Sequence, residues 1–534
     1  MSLRGATAHA VYPGPMSPRR ITLWAAAAGL TAAGAVLAVT ELLALIIAPA
    51  SSSLLAVGSL VIDLAPPWLK EVTIALFGTA DKLVLLILVG LLVAVLAVVA
   101  GILERRRPPW GAALLGVVGL VALTAVLTRA EATVFWAVPT VVGVLVGVVV
   151  LRRLIDMLDR WVTTTAAKDQ EAVARAGLAR RSFLGVLGAT AAGAVIVGVA
   201  SRAVNAATSV ATTVREALRL PAAATRAAAI PAGAELDVAG ITPLVTANRD
   251  FYRIDTALQV PQIDASQWRL RITGLVEQEV EIGWDELVAL PMQESYVTLM
   301  CVSNDVGGDL TGNALWLGHP IRNLLARARP RPEADMVLSR SQDGWTAGTP
   351  LEVLQDPNRD ALLAIGMNGE LLPLEHGFPV RMVVPGLYGY VSATKWVVEM
   401  KVTRFSDDVG YWTPRGWSEL GPVKTHSRID VPRQSSSLTA GPQAIAGIAW
   451  SQHVGIERVE VRIDGGAWQE AQLAEAISAD TWRQWMFEWQ AEAGVHAIEV
   501  RATDVTGFTQ TEPYVPVAPD GAEGYHGITV QVGA

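Results

Sequence analysis

The chain has 534 residues, of which 51% are hydrophobic and only 17% charged, with a mean hydropathy of +0.38 and a net charge of −8. That is too apolar for an ordinary soluble protein and too long for one domain. A single cysteine, Cys301, excludes an intramolecular disulfide, and no basic cluster with interleaved aromatics points to nucleic acid.

Charge is split along the chain. The first 182 residues carry 16 Lys+Arg against 10 Asp+Glu, and the remainder carries 26 against 40. A basic part beside an anionic leaflet and an acidic part in water fit this split. Four apolar stretches of bilayer-spanning length are expected at about Ile21–Ile47, Leu83–Leu103, Trp110–Leu127 and Val134–Leu151, with a fifth, Ala/Gly-rich one at Phe183–Ala200. Residues 51–79, broken by Asp63, Pro66, Pro67 and Lys70, read as an interfacial or re-entrant segment. With five crossings, Arg19-Arg20, Arg105-Arg106-Arg107, Arg152-Arg153 with Arg160, and Arg180-Arg181 fall on one side. If that side is the cytoplasm, the opposite loops keep only Lys70, Lys82 and Arg129, and the chain after Ala200 is extracytoplasmic. The string Ala179-Arg180-Arg181-Ser182-Phe183-Leu184-Gly185 resembles a twin-arginine export signal, which serves domains already folded. None of the seven histidines lies in an expected span, so no haem is expected.

Residues 201–240, Ala-, Thr- and Arg-rich with Pro221 and Pro231, read as an exposed, partly helical tether. Globular composition starts near Ile241. A strand over Trp268–Leu275, a helix start at Trp284 and an alternating strand ending at Met300 follow. Cys301 opens the polar run Val302-Ser303-Asn304-Asp305 at the mouth of that strand. A lone cysteine is by default a small buried hydrophobe; at a strand end it also suits a soft metal ligand. Helix Ile321–Ala328 comes next, then Ser339–Gly348. A denser cluster holds His376-Gly377-Phe378-Pro379-Val380-Arg381, the strand Met382–Val384, and a glycine-punctuated loop from Pro385 to Trp396. Backbone NH groups in such a loop, with Arg and Lys nearby, suit an anionic, phosphate-bearing ligand. Beyond about Val431 the pattern turns to short strands: Ala444–Trp450, Ile456–Ile463, Trp482–Trp489 and His496–Thr503. These predict an antiparallel sandwich.

The order Thr298-Leu299-Met300-Cys301, Gly344-Trp345-Thr346, His376-Gly377-Phe378-Pro379-Val380-Arg381, Val384-Pro385-Gly386 and Lys395-Trp396 resembles the sulfite oxidase family of molybdenum enzymes. The resemblance runs from about Ala247 to the C-terminus, where the tail is similar to that family's immunoglobulin-like domain. The membrane part lies outside the resemblance, and together they predict a multi-domain protein. An α-helical membrane bundle (1–203) and a linker (204–240) precede an α+β molybdopterin domain (241–425) and an all-β immunoglobulin-like sandwich (426–534). The resemblance further implies that Cys301 gives a thiolate to molybdenum. His376, Arg381 and Lys395 would bind the pterin and its phosphate, with Ser392 and Thr394 as hydroxyl donors and Asn248, Tyr252 and Arg253 as an early cofactor segment. Ser341 or Asp343 would fill the intervening position.

Two departures concern the substrate. Asp305 follows the cysteine where a sulfite site wants arginines, and Trp345 stands where those enzymes carry an active-site tyrosine. A neutral oxo donor such as a sulfoxide therefore competes with sulfite. The expected protein is a membrane-anchored, extracytoplasmic oxidoreductase transferring an oxygen atom to or from a small molecule, with a separate haem- or quinone-linked electron partner. A cofactor-free adhesion or scaffolding protein is the rival reading.

Overall fold

A computed structural model of the protein describes residues 16–533 except 67–68, 70–71, 74–75, 78–80, 130–131, 167–169 and 208–214. The chain forms two compact units, one of residues 1–209 with 257–259 and one of residues 210–256 with 260–534.

The first unit is helical: α1 (Pro18–Ile47), α2 (Ser53–Leu64), α3 (Asp81–Arg106), α4 (Trp110–Leu127), α5 (Ala137–Ala166) and α6 (Gln170–Ala207). Five of these helices are long and apolar enough to cross a membrane. Two differ from expectation. α5 runs past its apolar stretch through Arg152, Arg153 and Arg160, and α6 starts well before Phe183, so Arg180 and Arg181 lie inside a continuous helix. Alanine-, arginine- and leucine-rich sequence has high helix propensity, which lets both helices continue through polar residues. Of the expected re-entrant segment, residues 53–64 form a helix whose N-cap Ser52 accepts the Leu55 N–H; Lys70 lies outside the described residues, as does His9. Trp24, Trp161 and Phe183 pack at 5.8–6.0 Å between centroids. Nearby, Arg152 pairs with buried Glu104, which also takes the Ala112 N–H at 2.7 Å. The arginine-bearing segments thus gather at one end of the bundle. Glu41 bonded to Ser52 (2.6 Å) and Asp63 paired with Arg129 (3.0 Å) mark the other.

The second unit is sheet-rich. Strands β1 (Ala223–Thr225), β4 (Met292–Met300), β5 (Thr311–Pro320), β8 (Leu362–Met367), β10 (Arg381–Val383) and β9 (Glu370–Leu371) form one sheet, ordered β1-β4-β5-β8-β10 with β9 on β8. A second sheet orders β3 (Val280–Gly283), β2 (Arg269–Gly274), β11 (Val397–Thr403), β6 (Met336–Ser341) and β7 (Thr346–Pro350). The expected tether is only partly one. β1 adds parallel to β4, and the Arg215 guanidinium donates to the Leu371 and Leu372 carbonyls at 2.8 Å. Small Ala and Thr side chains let that backbone lie flat along a sheet edge, a pairing that leaves no hydrophobic alternation to read.

The tail builds two further sheets. β12 (His426–Val431), β14 (Gly441–Trp450), β18 (Arg483–Ala491) and β17 (Gln472–Leu473) form the first. β13 (Ser437–Thr439), β20 (His526–Gly533), β19 (Gly494–Asp504), β15 (Ile456–Ile463) and β16 (Gln469–Glu470) form the second. Ile445, Trp485, Val459, Val461, Ile498, Val500 and Val530 from both share one core. The tail is also stitched to β4, since Thr298 N–H donates to the Asp480 carbonyl (3.0 Å) and its hydroxyl accepts the Trp482 N–H (2.9 Å).

Candidate active site

β4 ends fully buried, and Cys301 continues its ladder by donating its N–H to the Leu310 carbonyl at 3.0 Å. The chain then turns, with Asn304 N–H on the Cys301 carbonyl (3.0 Å) and the Asn304 side chain accepting Leu310 N–H (2.7 Å). The Cys301 Sγ is buried and faces the Ser303 N–H at 3.4 Å. Burial pushes the thiol pKa up, and the Ser303 contact only partly opposes it. Without a metal this sulfur therefore holds its proton. Asp305, the acid expected to disturb an anion pocket, is exposed and accepts the Tyr514 hydroxyl at 3.2 Å.

Two phenols lie near the sulfur. Tyr252 is half-buried, and its pKa is pushed up by desolvation and then by the charge of Cys301, against Arg381. Tyr388 is pushed up by burial, against the Lys424 N–H, with the carboxylate of Asp520 and the charge of Cys301 adding to it. Trp345 occupies the turn between β6 and β7. Its carbonyl takes the Ser341 N–H (2.8 Å) and its own N–H reaches Asp343 (3.3 Å). Among the described contacts, none links Trp345 to Cys301.

Arg381 is buried at the start of β10. Its guanidinium donates to the carbonyls of Met382 (3.3 Å), His376 (3.2 Å) and Ala393 (3.5 Å), and lies 5.1 Å over the Trp316 ring. Among the described residues no carboxylate pairs with it, and burial pulls its pKa down to about 10. His376 ends a single helical turn, and Gly377 relieves the chain with φ +113°. Its Nε2 meets the Asn248 carbonyl at 3.0 Å. Burial and then Arg381 lower its pKa to about 4, so the ring is neutral. Phe251 packs edge-on to both Trp316 (5.7 Å) and His376 (5.5 Å), an approach open only because Gly312 has no Cβ.

Lys395 and Arg253 converge on one carboxylate. Lys395 Nζ lies 2.6 Å from Asp255 Oδ2 and Arg253 Nε 2.9 Å from the same atom. Burial pulls Lys395 down to about 8 despite Asp255. Asp343 sits close enough to feel both Asp255 and Lys395, and burial raises its pKa. The neighbouring Ser341 hydroxyl eases that charge without an aligned hydrogen bond, and its Oγ is buried and unpartnered.

The structure thus gathers Tyr252, Cys301, His376, Arg381, Lys395, Arg253 and Asp343 into one region. It commits other expected donors elsewhere. The Ser392 hydroxyl bonds to the Tyr388 carbonyl (2.9 Å), and the Thr394 hydroxyl to Ser339 (2.6 Å). The Asn248 amide serves Glu370 (2.6 Å), Met367 and Asn368, leaving its carbonyl for His376. These three side chains shape the loops, because buried polar groups take the nearest partner the backbone offers. Sequence reasoning missed Asp255, Tyr388 and Trp316. Tyr388, between two glycines in the loop, carried the one visible signal.

The residues fit a pterin-bound metal. A buried guanidinium without a counter-charge awaits an anion, an unpartnered serine hydroxyl awaits an acceptor or donor, and a buried thiol suits a soft metal.

Comparison with known proteins agrees with this chemistry. Residues 257–412 match the family described as oxidoreductase molybdopterin binding domain. Mitochondrial sulfite oxidase of Rattus norvegicus is 29% identical over 308 residues, 49% of this chain and 56% of the relative. An NADH nitrate reductase of Solanum lycopersicum is 28% identical over 320 residues, 48% of this chain and 35% of the relative. The sulfane dehydrogenase SoxCD of Paracoccus pantotrophus is similar with a TM-score of 0.46 and 24% identity, covering 51% of this chain and 76% of that one. The chain spans little more than half the length of the sulfite oxidase it matches, and less of the nitrate reductase.

Proposed function

We propose that this chain, which belongs to the sulfite oxidase family of molybdopterin oxidoreductases, is a membrane-anchored, extracytoplasmic enzyme that removes an oxygen atom from a sulfoxide-like substrate. When bound, the molybdenum–pterin group would supply two-electron oxygen-atom transfer. Cys301 would hold the metal, and its lost proton would leave with cofactor loading. Arg381 would face the cofactor's negative charge, neutral His376 would offer a ring nitrogen, and Lys395 with Arg253 would take the phosphate. Ser341 and Asp343 would complete the pterin contacts. Tyr252 and Tyr388 would line the space beside the sulfur, with both phenols protonated at neutral pH. Trp345, expected at the reacting centre, is assigned only to the turn that carries Asp343.

In the reaction an S–O bond breaks, and sulfide and water form with two electrons and two protons. The electrons would come from a separate haem- or quinone-linked donor. The five apolar helices would serve as anchor, with the arginine-rich bundle end in the cytoplasm and the sheet-rich unit outside. Its last hundred or so residues would form an immunoglobulin-like sandwich.

The single observation carrying this reading is the buried Arg381, paired with no carboxylate among the described residues, in the same region as the buried Cys301 thiol, with Tyr252 feeling both. The test is metal and pterin analysis of the full chain, wild type and Cys301→Ser, with assays on dimethyl sulfoxide and on sulfite using artificial electron carriers. Molybdenum and sulfoxide turnover in wild type, both lost in Cys301→Ser, are expected. Protein without molybdenum would turn the case toward adhesion or scaffolding. Turnover of sulfite alone would make the enzyme a sulfite oxidase.

A further inference from the structure

The turn that carries Cys301 is shaped largely from outside itself. Hairpin loops usually take about two to five residues, but the connection from β4 to β5 runs from Cys301 to Leu310 with no strand or helix of its own. Its own bonds centre on Asn304, whose N–H meets the Cys301 carbonyl and whose amide oxygen takes the Leu310 N–H. The C-terminal region grips the rest. Arg428 on β12 donates Nη1 to the Gly308 carbonyl at 2.7 Å. The His526 ring lies against Gly307, where φ is +75° and a Cβ would stand 2.4 Å from Nε2. The Tyr514 hydroxyl reaches Asp305 at 3.2 Å. On the other side of the cysteine, Asp480 and Trp482 hold Thr298 of β4.

Arg428 is the anchor of this grip. It is 9% exposed, and its guanidinium divides its donors among three places, each at 2.7 Å: Nε to Asp430, Nη1 to Gly308 and Nη2 to the Thr242 hydroxyl. Asp430 neutralises the charge and takes the Thr242 N–H on its second oxygen at 3.0 Å, so the fork is locked where it meets the loop. A lysine has no planar fork and cannot reproduce that arrangement. Gly308 is pinned from the other side as well, because a Cβ there would stand 2.7 Å from the Asn304 amide oxygen. A path of direct contacts thus runs from Arg428 through Gly308 and Asn304 to the Cys301 carbonyl.

We infer that Arg428 is a positioning residue for the reaction: it fixes the turn after Cys301, and so sets where the sulfur stands for the metal and how closed it is to solvent. The inference rests on the function proposed above, in which Cys301 holds the metal. It makes the C-terminal sheets a working part of the site, acting through the backbone of the loop.

Because the chain has a single cysteine, alkylation by N-ethylmaleimide reads this turn alone, and it needs no metal. In full-chain protein produced without molybdate, held in detergent well below its melting temperature, Arg428→Met should react at least tenfold faster than wild type. Arg428→Lys should not restore the wild-type rate. Ile498→Ala, in the core between the two C-terminal sheets, is the control for lost stability; it should lower the melting temperature and leave the rate unchanged. In the loaded enzyme, Arg428→Met should lower kcat for dimethyl sulfoxide at least tenfold with KM within twofold, because the residue holds the sulfur and not the substrate. Should Arg428→Met fail to fold, Tyr514→Phe, which removes only an exposed latch on Asp305, should still speed alkylation at least threefold. A wild-type alkylation rate in the variant that folds overturns the inference. So does Ile498→Ala reacting as fast as Arg428→Met, which would reduce the effect to stability, and so does a KM that rises while kcat stays. Protein that loads no molybdenum would defeat the function proposed above and leave the alkylation test standing.

Discussion

Arg381 is a buried charge held by neutral carbonyl groups. Removing a charge from water costs several kcal/mol even after relaxation, and three or four dipoles return only part of it. Such residues persist where an incoming ligand supplies the opposite charge. Buried His376 and half-buried His526 in the same unit take the other course and give up their charge. His526 accepts the Ile429 N–H at 2.9 Å on Nδ1, and burial followed by Arg428 lowers its pKa to about 4. His376 is lowered to about 4 as well. An unfolded histidine titrates near 6.5, so on acidification the unfolded chain takes the proton first. Stability from each ring is therefore complete above about pH 6.5 and is lost as pH falls toward 4, by at most about 3 kcal/mol per ring. We expect the melting temperature of the sheet-rich unit, followed by tryptophan fluorescence in the solubilised chain, to drop between pH 7 and pH 4.5. His526→Gln, whose amide oxygen still accepts the Ile429 N–H, should show a smaller drop. Equal drops would place the acid sensitivity elsewhere.

Helix pairing in the first unit depends on glycine at two facing positions. A Cβ on Gly29 of α1 would stand 2.0 Å from the Ala97 carbonyl oxygen of α3, and one on Gly101 would stand 2.0 Å from the Ala25 carbonyl. Within lipid, such close backbone approach replaces the hydrophobic drive that lipid tails cannot provide. Gly29→Leu should therefore pry α1 from α3 and cost roughly 1–3 kcal/mol or more, read as a lower helical melting temperature in detergent. Gly90→Leu on α3, where nothing lies within 4 Å, should leave it unchanged; equal effects would mean the crossing does not need its glycines. The small-residue crossing was invisible to a hydropathy reading, which registers spans and not their faces. Strands fared by the same logic. β15 was legible end to end because Val459, Val461 and Ile463 alternate, whereas β1 was not, because Ala223–Thr225 has no apolar face. In the site, Cys301, His376, Arg381 and Lys395 were legible because each lies in a compact local string. Asp255 was not, since its meeting with Lys395 joins positions 140 apart that only the folded backbone brings together.

At the scale of the whole molecule, the topology proposed above raises the question of how an acidic, sheet-rich unit would follow a basic helical one across a membrane. The arginine-bearing ends of α1, α3 and α5 and the Arg180–Arg181 pair of α6 all lie toward one end of the bundle. Any cytoplasm-facing helix end would show such arginines, so their presence alone does not separate a topology flank from a signal for folded export. Substitution separates them. Lysine keeps the positive charge that sets orientation, but it does not replace the arginine pair that a twin-arginine receptor reads. If the second unit crosses the membrane already folded, as a protein that takes up its cofactor in the cytoplasm must, Arg180→Lys with Arg181→Lys should leave that unit shielded from protease added outside intact cells. Arg152→Lys with Arg153→Lys in α5 should leave it as accessible as in wild type. Normal accessibility of both double variants would show that the pair only fixes orientation, and that the second unit folds after it has crossed.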